Sequence, residues 1–270
     1  KALILLILIG NSLFSQEIGV WQNYTNMDNV MNIASTPDGF WIATTGGVGY
    51  YSNSLGEYEF FLTNSEGLSS QNVTAIDVDS QGRVWLGMQN GMLDIYDPKT
   101  NTTIPIKDIF ESPNTSKKIT DILIVDNTAY ISTEFGLSIM NTTNLAFISS
   151  TSKFGDFTSL IAVNSVYVSD RIYVSTDEGV AFQKSGATNL VAPDSWTSYR
   201  NGIDIASNKI YCTIEYDGKI LAGTDKGLFK FDGVNWDNFL YTEAIFDLSV
   251  VEENLQVLKI NELICTLFAP

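Results

Sequence analysis

The sequence predicts an all-β protein built from one repeated antiparallel unit, and three observations carry that reading. The first is the stretch from Asn72 to Asp97, which reads strand, turn, strand, turn, strand. Ala75, Ile76 and Val78 precede the polar break Asp79-Ser80-Gln81-Gly82, Val84-Trp85-Leu86 precede Gln89-Asn90-Gly91, and Met92, Leu93, Ile95 and Tyr96 follow. Short β-branched and aromatic runs bounded by Gly, Asn and Asp are the pattern of antiparallel hairpins. The second observation is recurrence. An apolar strand, Thr, two residues, Gly and another apolar strand return around Gly47, Gly91, Gly136, Gly179 and Gly227, with Met88 in the threonine place of the second unit. These glycines lie 44, 45, 43 and 48 residues apart. A period of about 45 residues holding several strands is that of a β-propeller blade. The third is an aromatic pair between units: Trp21-x-x-Tyr24, Tyr58-x-x-Phe61, Trp196-x-x-Tyr199 and Trp236-x-x-Phe239. We read these as outermost blade strands whose rings pack between neighbours. The expected fold is all-β, a β-propeller of six or seven four-stranded antiparallel blades.

Taken in order, the chain opens with Lys1 and the apolar run ALILLILIG, then NSLFSQ. A basic residue, a short apolar run and small residues before a polar start predict a secretory signal peptide over residues 1–15. A membrane anchor needs about 18 or more apolar residues, and this run is shorter. Residues 16–270 are then one β-propeller domain, expected to be the N-terminal part of a longer protein. Strand runs are expected at Val30–Ile33, Phe40–Thr44 and Val48–Tyr51, at the opening stretch above, and at Ala129–Thr133 with Gly136–Met140. The fourth and fifth units follow at Ile172–Thr176 with Gly179–Phe182, and at Lys219–Thr224 with Gly227–Phe231. A fainter sixth runs through Ile245–Val251 and Leu255–Leu258, with Glu262 where glycine is expected. Trp236 precedes Glu262 by 26 residues, as Trp21 precedes Gly47. Trp21–Tyr24 has no unit before it, so it is expected to close the ring by completing the last blade.

Composition narrows function by exclusion. Against 31 acidic residues stand 15 basic ones, for a net charge of −16. Such a chain repels nucleic acid and anionic headgroups and favours cationic or neutral partners. There is no histidine, which removes the commonest general base, Ser-His-Asp triads and His-ligated metals. Cys212 and Cys265 alone are no disulfide framework and read as two separate buried thiols, although an exported chain permits a bridge.

The unit around Gly67–Asp97 is similar to the two-component regulator propeller repeat, found in periplasmic sensor regions of bacterial hybrid histidine kinases. The whole arrangement also resembles the N-terminal propeller of the PorZ family, surface components of the type IX secretion system. The resemblance rests on the leader ending Phe14-Ser15-Gln16, the Trp21-x-x-Tyr24 strand, Asn90-Gly91-Met-Leu-Asp94-Ile95 and Ala129-Tyr-Ile-Ser-Thr-Glu-Phe-Gly136-Leu. It implies a non-enzymatic binding or scaffold module in the periplasm or on the outer surface of a bacterium. It also implies a part in attaching anionic lipopolysaccharide to secreted cargo, so the partner expected is a protein or a glycan such as lipopolysaccharide. The alternative is the ligand-sensing propeller of a hybrid histidine kinase. An extracellular lyase or hydrolase on the same scaffold is the third class, opposed by the absence of histidine. No cofactor, nucleic acid or membrane span is expected.

Individual motifs are weighed against turn and surface chemistry. Asp77-x-Asp79-x-x-Gly82 begins like a calcium loop, but the closing acidic place is Met88. It reads instead as a turn. The Asn-x-Ser/Thr triplets at Asn23, Asn72, Asn101, Asn114 and Asn141 are put down to composition. Glu134, Asp177, Glu178 and Asp225 fall in equivalent inter-strand turns, which places them on one face as an acidic rim. They are the candidate ligand-binding residues, with a solvated acidic surface as the simpler reading.

Overall fold

The computed structural model describes residues 26–207, 209–251, 254–259 and 262–264. The predicted signal peptide, Trp21–Tyr24 and Cys265 lie outside the described residues. Each repeat forms its own antiparallel sheet, strands in chain order. The first is β1 (Val30–Thr36), β2 (Gly39–Thr44), β3 (Gly47–Ser52) and β4 (Glu57–Leu62). The second is β5 (Val73–Val78), β6 (Val84–Met88), β7 (Leu93–Asp97) and β8 (Thr102–Ile106). β9 (Ile119–Val125), β10 (Thr128–Thr133), β11 (Gly136–Asn141) and β12 (Phe147–Thr151) make the third. The fourth is β13 (Val163–Val168), β14 (Ile172–Thr176), β15 (Gly179–Gln183) and β16 (Trp196–Arg200). The fifth is β17 (Ile210–Tyr216), β18 (Lys219–Thr224), β19 (Gly227–Phe231) and β20 (Trp236–Leu240), and the sixth β21 (Ile245–Val251), β22 (Asn254–Lys259) and β23 (Glu262–Ile264). A four-residue helix, Asp108–Glu111, interrupts the strand-and-turn pattern between the second and third sheets.

The sheets pack face on face, as propeller blades do, because neither face of a four-stranded sheet this apolar can be left wet. Trp41, Val48 and Leu62 of the first sheet meet Ile76, Leu86 and Tyr96 of the second. Trp85 and Ile95 of the second meet Ile122 and Ile131 of the third. Leu137 and Ile139 meet Val166 and Ile172, Phe182 meets Ala222 and Phe229, and Leu221 and Leu228 meet Leu248 and Val257. Each interface is thus built from the alternate residues of two neighbouring sheets.

The recurrent Thr-x-x-Gly is a hairpin turn closed by its own side chain. The threonine hydroxyl donates to the glycine carbonyl at Thr44, Thr133, Thr176 and Thr224, over 2.8–2.9 Å. In the second blade the expected register is off by one. Gly87 pairs with Leu93, and the Met88 N–H reaches the Met92 carbonyl at 3.0 Å, so Met92 and not Gly91 takes the place of Gly47. Without a hydroxyl to close the shorter turn, Gln89-Asn90-Gly91 forms a longer one, with Gly91 inside it at φ +88°.

The aromatic pair lies on fourth strands at β4, β16 and β20, as expected. Trp196 and Trp236 are buried, but Tyr58 and Phe61 are about half exposed. Trp236 packs against Phe182, Tyr199 and Phe231 and so joins the fourth blade to the fifth.

Candidate functional site

The first strand of every blade is the innermost, and successive first strands lie side by side. All six carry a bulge after the first residue. The extra residue is Met31, Thr74, Thr120, Asn164, Tyr211 or Phe246. A bulge kinks the strand and re-aims its side chains, and two consequences follow here.

One is a latch between blades. Thr74 Oγ1 donates to the carbonyl of Ile119 at 2.5 Å, Thr120 Oγ1 to Val163 at 2.5 Å and Asn164 Nδ2 to Ile210 at 2.7 Å. In each case the acceptor is the first residue of the next inner strand.

The other is a layer of side chains at one level, contributed by the residue after each bulge: Asn32, Ala75, Asp121, Ser165, Cys212 and Asp247. All but Ala75 line a cavity of about 610 Å³ between the inner strands. Asp121 stands on the third blade and Asp247 on the sixth. Burial raises the Asp121 carboxyl most, and the charges of Asp247 and Asp77 raise it further. The Val166 N–H, 3.4 Å away, offsets only part of this, leaving it at about 7. Burial likewise raises Asp77 and Asp247 above the usual carboxylate range. Asp247 is nevertheless solvent-exposed, so its shift is screened. Cys212 is a buried free thiol held well above its ordinary range by burial and by Asp247.

The turns carrying Glu134, Asp177, Glu178 and Asp225 sit at one end of these inner strands. The residue after each threonine, or after Met88, donates its N–H to the residue just before an inner strand. Thr45 reaches Asn29, Gln89 reaches Asn72, Glu134 reaches Lys118, Asp177 reaches Ala162 and Asp225 reaches Lys209. Their carboxylates have partners. Asp177 pairs with Lys209 at 3.0 Å, and Glu178 with Arg200 at 2.8 Å. Glu134 accepts from the Ser116 hydroxyl, and Asp225 from the Lys209 N–H at 3.2 Å. Burial opposes ionisation of Glu178, but Thr158 and Arg200 outweigh it and hold the carboxyl below its ordinary range. Asp177 and Glu178 share a shallow cleft with Arg200, Asn201 and Ser207.

The calcium-like Asp77 and Asp79 diverge. Asp79 accepts from the N–H groups of Gln81 and Arg83 and from the Trp85 indole. Asp77 accepts from Ile124 N–H of the next blade at 2.6 Å. No cluster of three metal-ligating side chains occurs among the described residues. The sequence reading missed Asp121 and Asp247. Their shared signal was visible as Ile119-Thr-Asp-Ile and Ile245-Phe-Asp-Leu, but it acquires meaning only with the bulge.

The sequence model of the N-terminal β-propeller domain of PorZ, of the type IX secretion system, matches residues 40–197. No curated protein matches the chain by sequence. Among solved structures, PorZ of Porphyromonas gingivalis, described as an essential bacterial surface component of that system, superposes with a TM-score of 0.71. It is 18% identical over 89% of this chain and 32% of that one. The extracellular domain of BT4673, a one-component system of B. thetaiotaomicron, gives a TM-score of 0.68 at 18% identity, over 85% of this chain and 31% of that one. The extracellular domain of the hybrid two-component system BT3049 of the same organism gives 0.66 at 18% identity, over 90% and 33%. The chain therefore spans about a third of the length of each, and at these identities the likeness is one of fold. No helix among the described residues is long and apolar enough to cross a membrane.

Proposed function

The chain belongs to the family of the PorZ N-terminal β-propeller domain, and from that membership we propose that it is a non-enzymatic binding and scaffold module of a type IX secretion surface component. In this reading it works outside the cytoplasm, in the machinery that attaches anionic lipopolysaccharide to secreted cargo. The observation that carries the proposal is the family match over residues 40–197, which spans the second and third blades completely and most of the first and fourth. The absence of histidine supports a binding role over a catalytic one. A sensor propeller is the second reading, favoured by the superposition on the BT4673 and BT3049 extracellular domains.

The finer architecture belongs to the same proposal. Among the described residues the sixth sheet has three strands where the others have four. The aromatic pair marks fourth strands at β4, β16 and β20, which supports Trp21–Tyr24 as the completing strand of the last blade, whether that blade is the sixth or a seventh.

Deleting the gene in its host separates the two roles. The secretion reading expects cargo to lose its lipopolysaccharide modification and its retention at the surface. Intact modification together with loss of a ligand-dependent transcriptional response would overturn it in favour of the sensor.

A further inference from the structure

The cavity between the inner strands has a chemistry that neither reading uses. At about 610 Å³ it lies within the roughly 300–1,000 Å³ typical of small-ligand pockets. Of the side chains that line it, Asp121 and Asp247 are acids, and none is lysine or arginine. They stand in one layer with Asn32, Ser165 and Cys212. The Ser165 hydroxyl oxygen, on the same wall, is buried and has no hydrogen-bond partner. Tyr211 and Phe246, side by side at 4.8 Å between ring centroids, form an aromatic wall beside the two carboxylates. Lys209 stays at the mouth, bound to Asp177 at 3.0 Å, with its ammonium 5.7 Å from the Tyr211 ring.

We propose that this cavity binds a primary ammonium group carried on a slim, extended chain. The ammonium sits in the layer between Asp121 and Asp247 and donates to both carboxylates, and its carrier lies along Tyr211 and Phe246. An ammonium is a donor only and a carboxylate an acceptor only, and aromatic faces attract a partly desolvated cation. Anions are excluded by the two acids. A metal ion would need donors converging more closely than any set among the described residues does. Binding also relieves a conflict within the fold, since the charges of Asp247 and Asp77 add to burial in opposing ionisation of Asp121. Besides those acids, Cys212, Tyr167 and Tyr211 line the cavity, and burial raises the Cys212 thiol and the Tyr167 phenol further, so both stay protonated near pH 7. Ammonium binding therefore releases the Asp121 proton and tightens as the pH rises through about 7.

The same ammonium chemistry comes from a free diamine or from a lysine side chain of a protein partner. Isothermal titration of the purified chain with 1,5-diaminopentane, with Nα-acetyl-lysine N-methylamide and with the neutral 1,5-pentanediol distinguishes them. We expect saturable binding of at least one amine and none of the diol. Preference for the diamine assigns a free amine, and preference for the lysine mimic assigns a partner's side chain. Asp121→Asn and Asp247→Asn should each weaken binding about tenfold or more, whereas Asp97→Asn, outside the cavity, should not. The wild-type affinity should rise between pH 6 and pH 8. The proposal is overturned by absence of saturable amine binding, by equal binding of the diol, or by affinities unchanged in both asparagine variants. Should a variant lose its strand spectrum, the pH series decides, and a flat profile overturns the proposal.

Discussion

Gly136→Ala tests the repeat where backbone meets backbone. Gly136 opens β11 at φ +144°, and a Cβ there would lie 2.2 Å from the Thr151 carbonyl oxygen and 2.9 Å from Ser152 Cα. Thr151 is paired with Leu137 across β11 and β12. The obstacle is thus a strand backbone that must shift by about an ångström, not a side chain free to swing aside. Positive φ costs a non-glycine residue about 1–3 kcal/mol, and overpacking adds about 1–3 kcal/mol. In a domain of this size each kcal/mol lowers Tm by about 2–4 °C, so the variant should melt roughly 5–20 °C below the parent. Gly186→Ala isolates the conformational part. Gly186 has φ +75° and no neighbour within 4 Å of an added Cβ, so only the strain, about 1 kcal/mol, remains. Thermal melts followed by far-ultraviolet circular dichroism measure both. Equal losses for the two variants would refute the close approach of β12 to the turn, and with it the blade register.

Thr120→Val keeps the shape of the latch and removes its hydroxyl, leaving the Val163 carbonyl without that donor; we expect a loss of about 1–2 kcal/mol in urea denaturation. Arg83→Ala removes the cation that meets the buried Asp79 carboxylate at 2.7 Å but leaves its Gln81, Arg83 and Trp85 N–H donors, and should cost about 1.5–3 kcal/mol by the same assay. Burial works against ionisation of Asp79, but Trp85 and Arg83 outweigh it and hold the carboxyl below its ordinary range. That part of the stability is present above the unfolded pKa and is lost as pH falls through the lowered one. Asp121 has the opposite sign. With its pKa raised from 3.8 to about 7, the folded chain holds a proton that the unfolded chain releases, so its contribution falls between about pH 4 and pH 7. The full shift corresponds to at most about 4 kcal/mol. Melting curves of Asp121→Asn and the parent should therefore diverge as pH rises across that window, the variant becoming the more stable; parallel curves would refute the assignment.

The blades were legible because one short-range chemical device recurs. Thr133 and Gly136 close their turn by a hydrogen bond three residues long, and that spacing is written in the sequence. The same reasoning slipped at Gly91, where Met88-Gln-Asn-Gly copies the spacing without the hydroxyl that enforces it. The acidic turns were legible for the same local reason. Their neutralisation was not, because Arg200 ends β16 and Lys209 lies in the connection before β17, both outside the repeated core. Asp121 and Asp247 escaped notice because nothing local joins them. Their meeting depends on a bulge in each inner strand and on the packing of successive blades.

The bulge explains why one layer can carry such different chemistry without disturbing the scaffold. Asn32, Ala75, Asp121, Ser165, Cys212 and Asp247 each pair through the backbone with the equivalent residue of a second strand: Ala43, Gly87, Ser132, Ser175, Gly223 and Leu258. Backbone pairing holds the layer in register whatever the side chain, and the latch residues beside it tie one blade to the next. Affinity in the cavity is thereby separated from blade stability. A change at Asp247 should alter what enters the cavity far more than how the sixth sheet pairs, whereas a change at Leu248 or Leu255, packed against the fifth blade, should do the reverse.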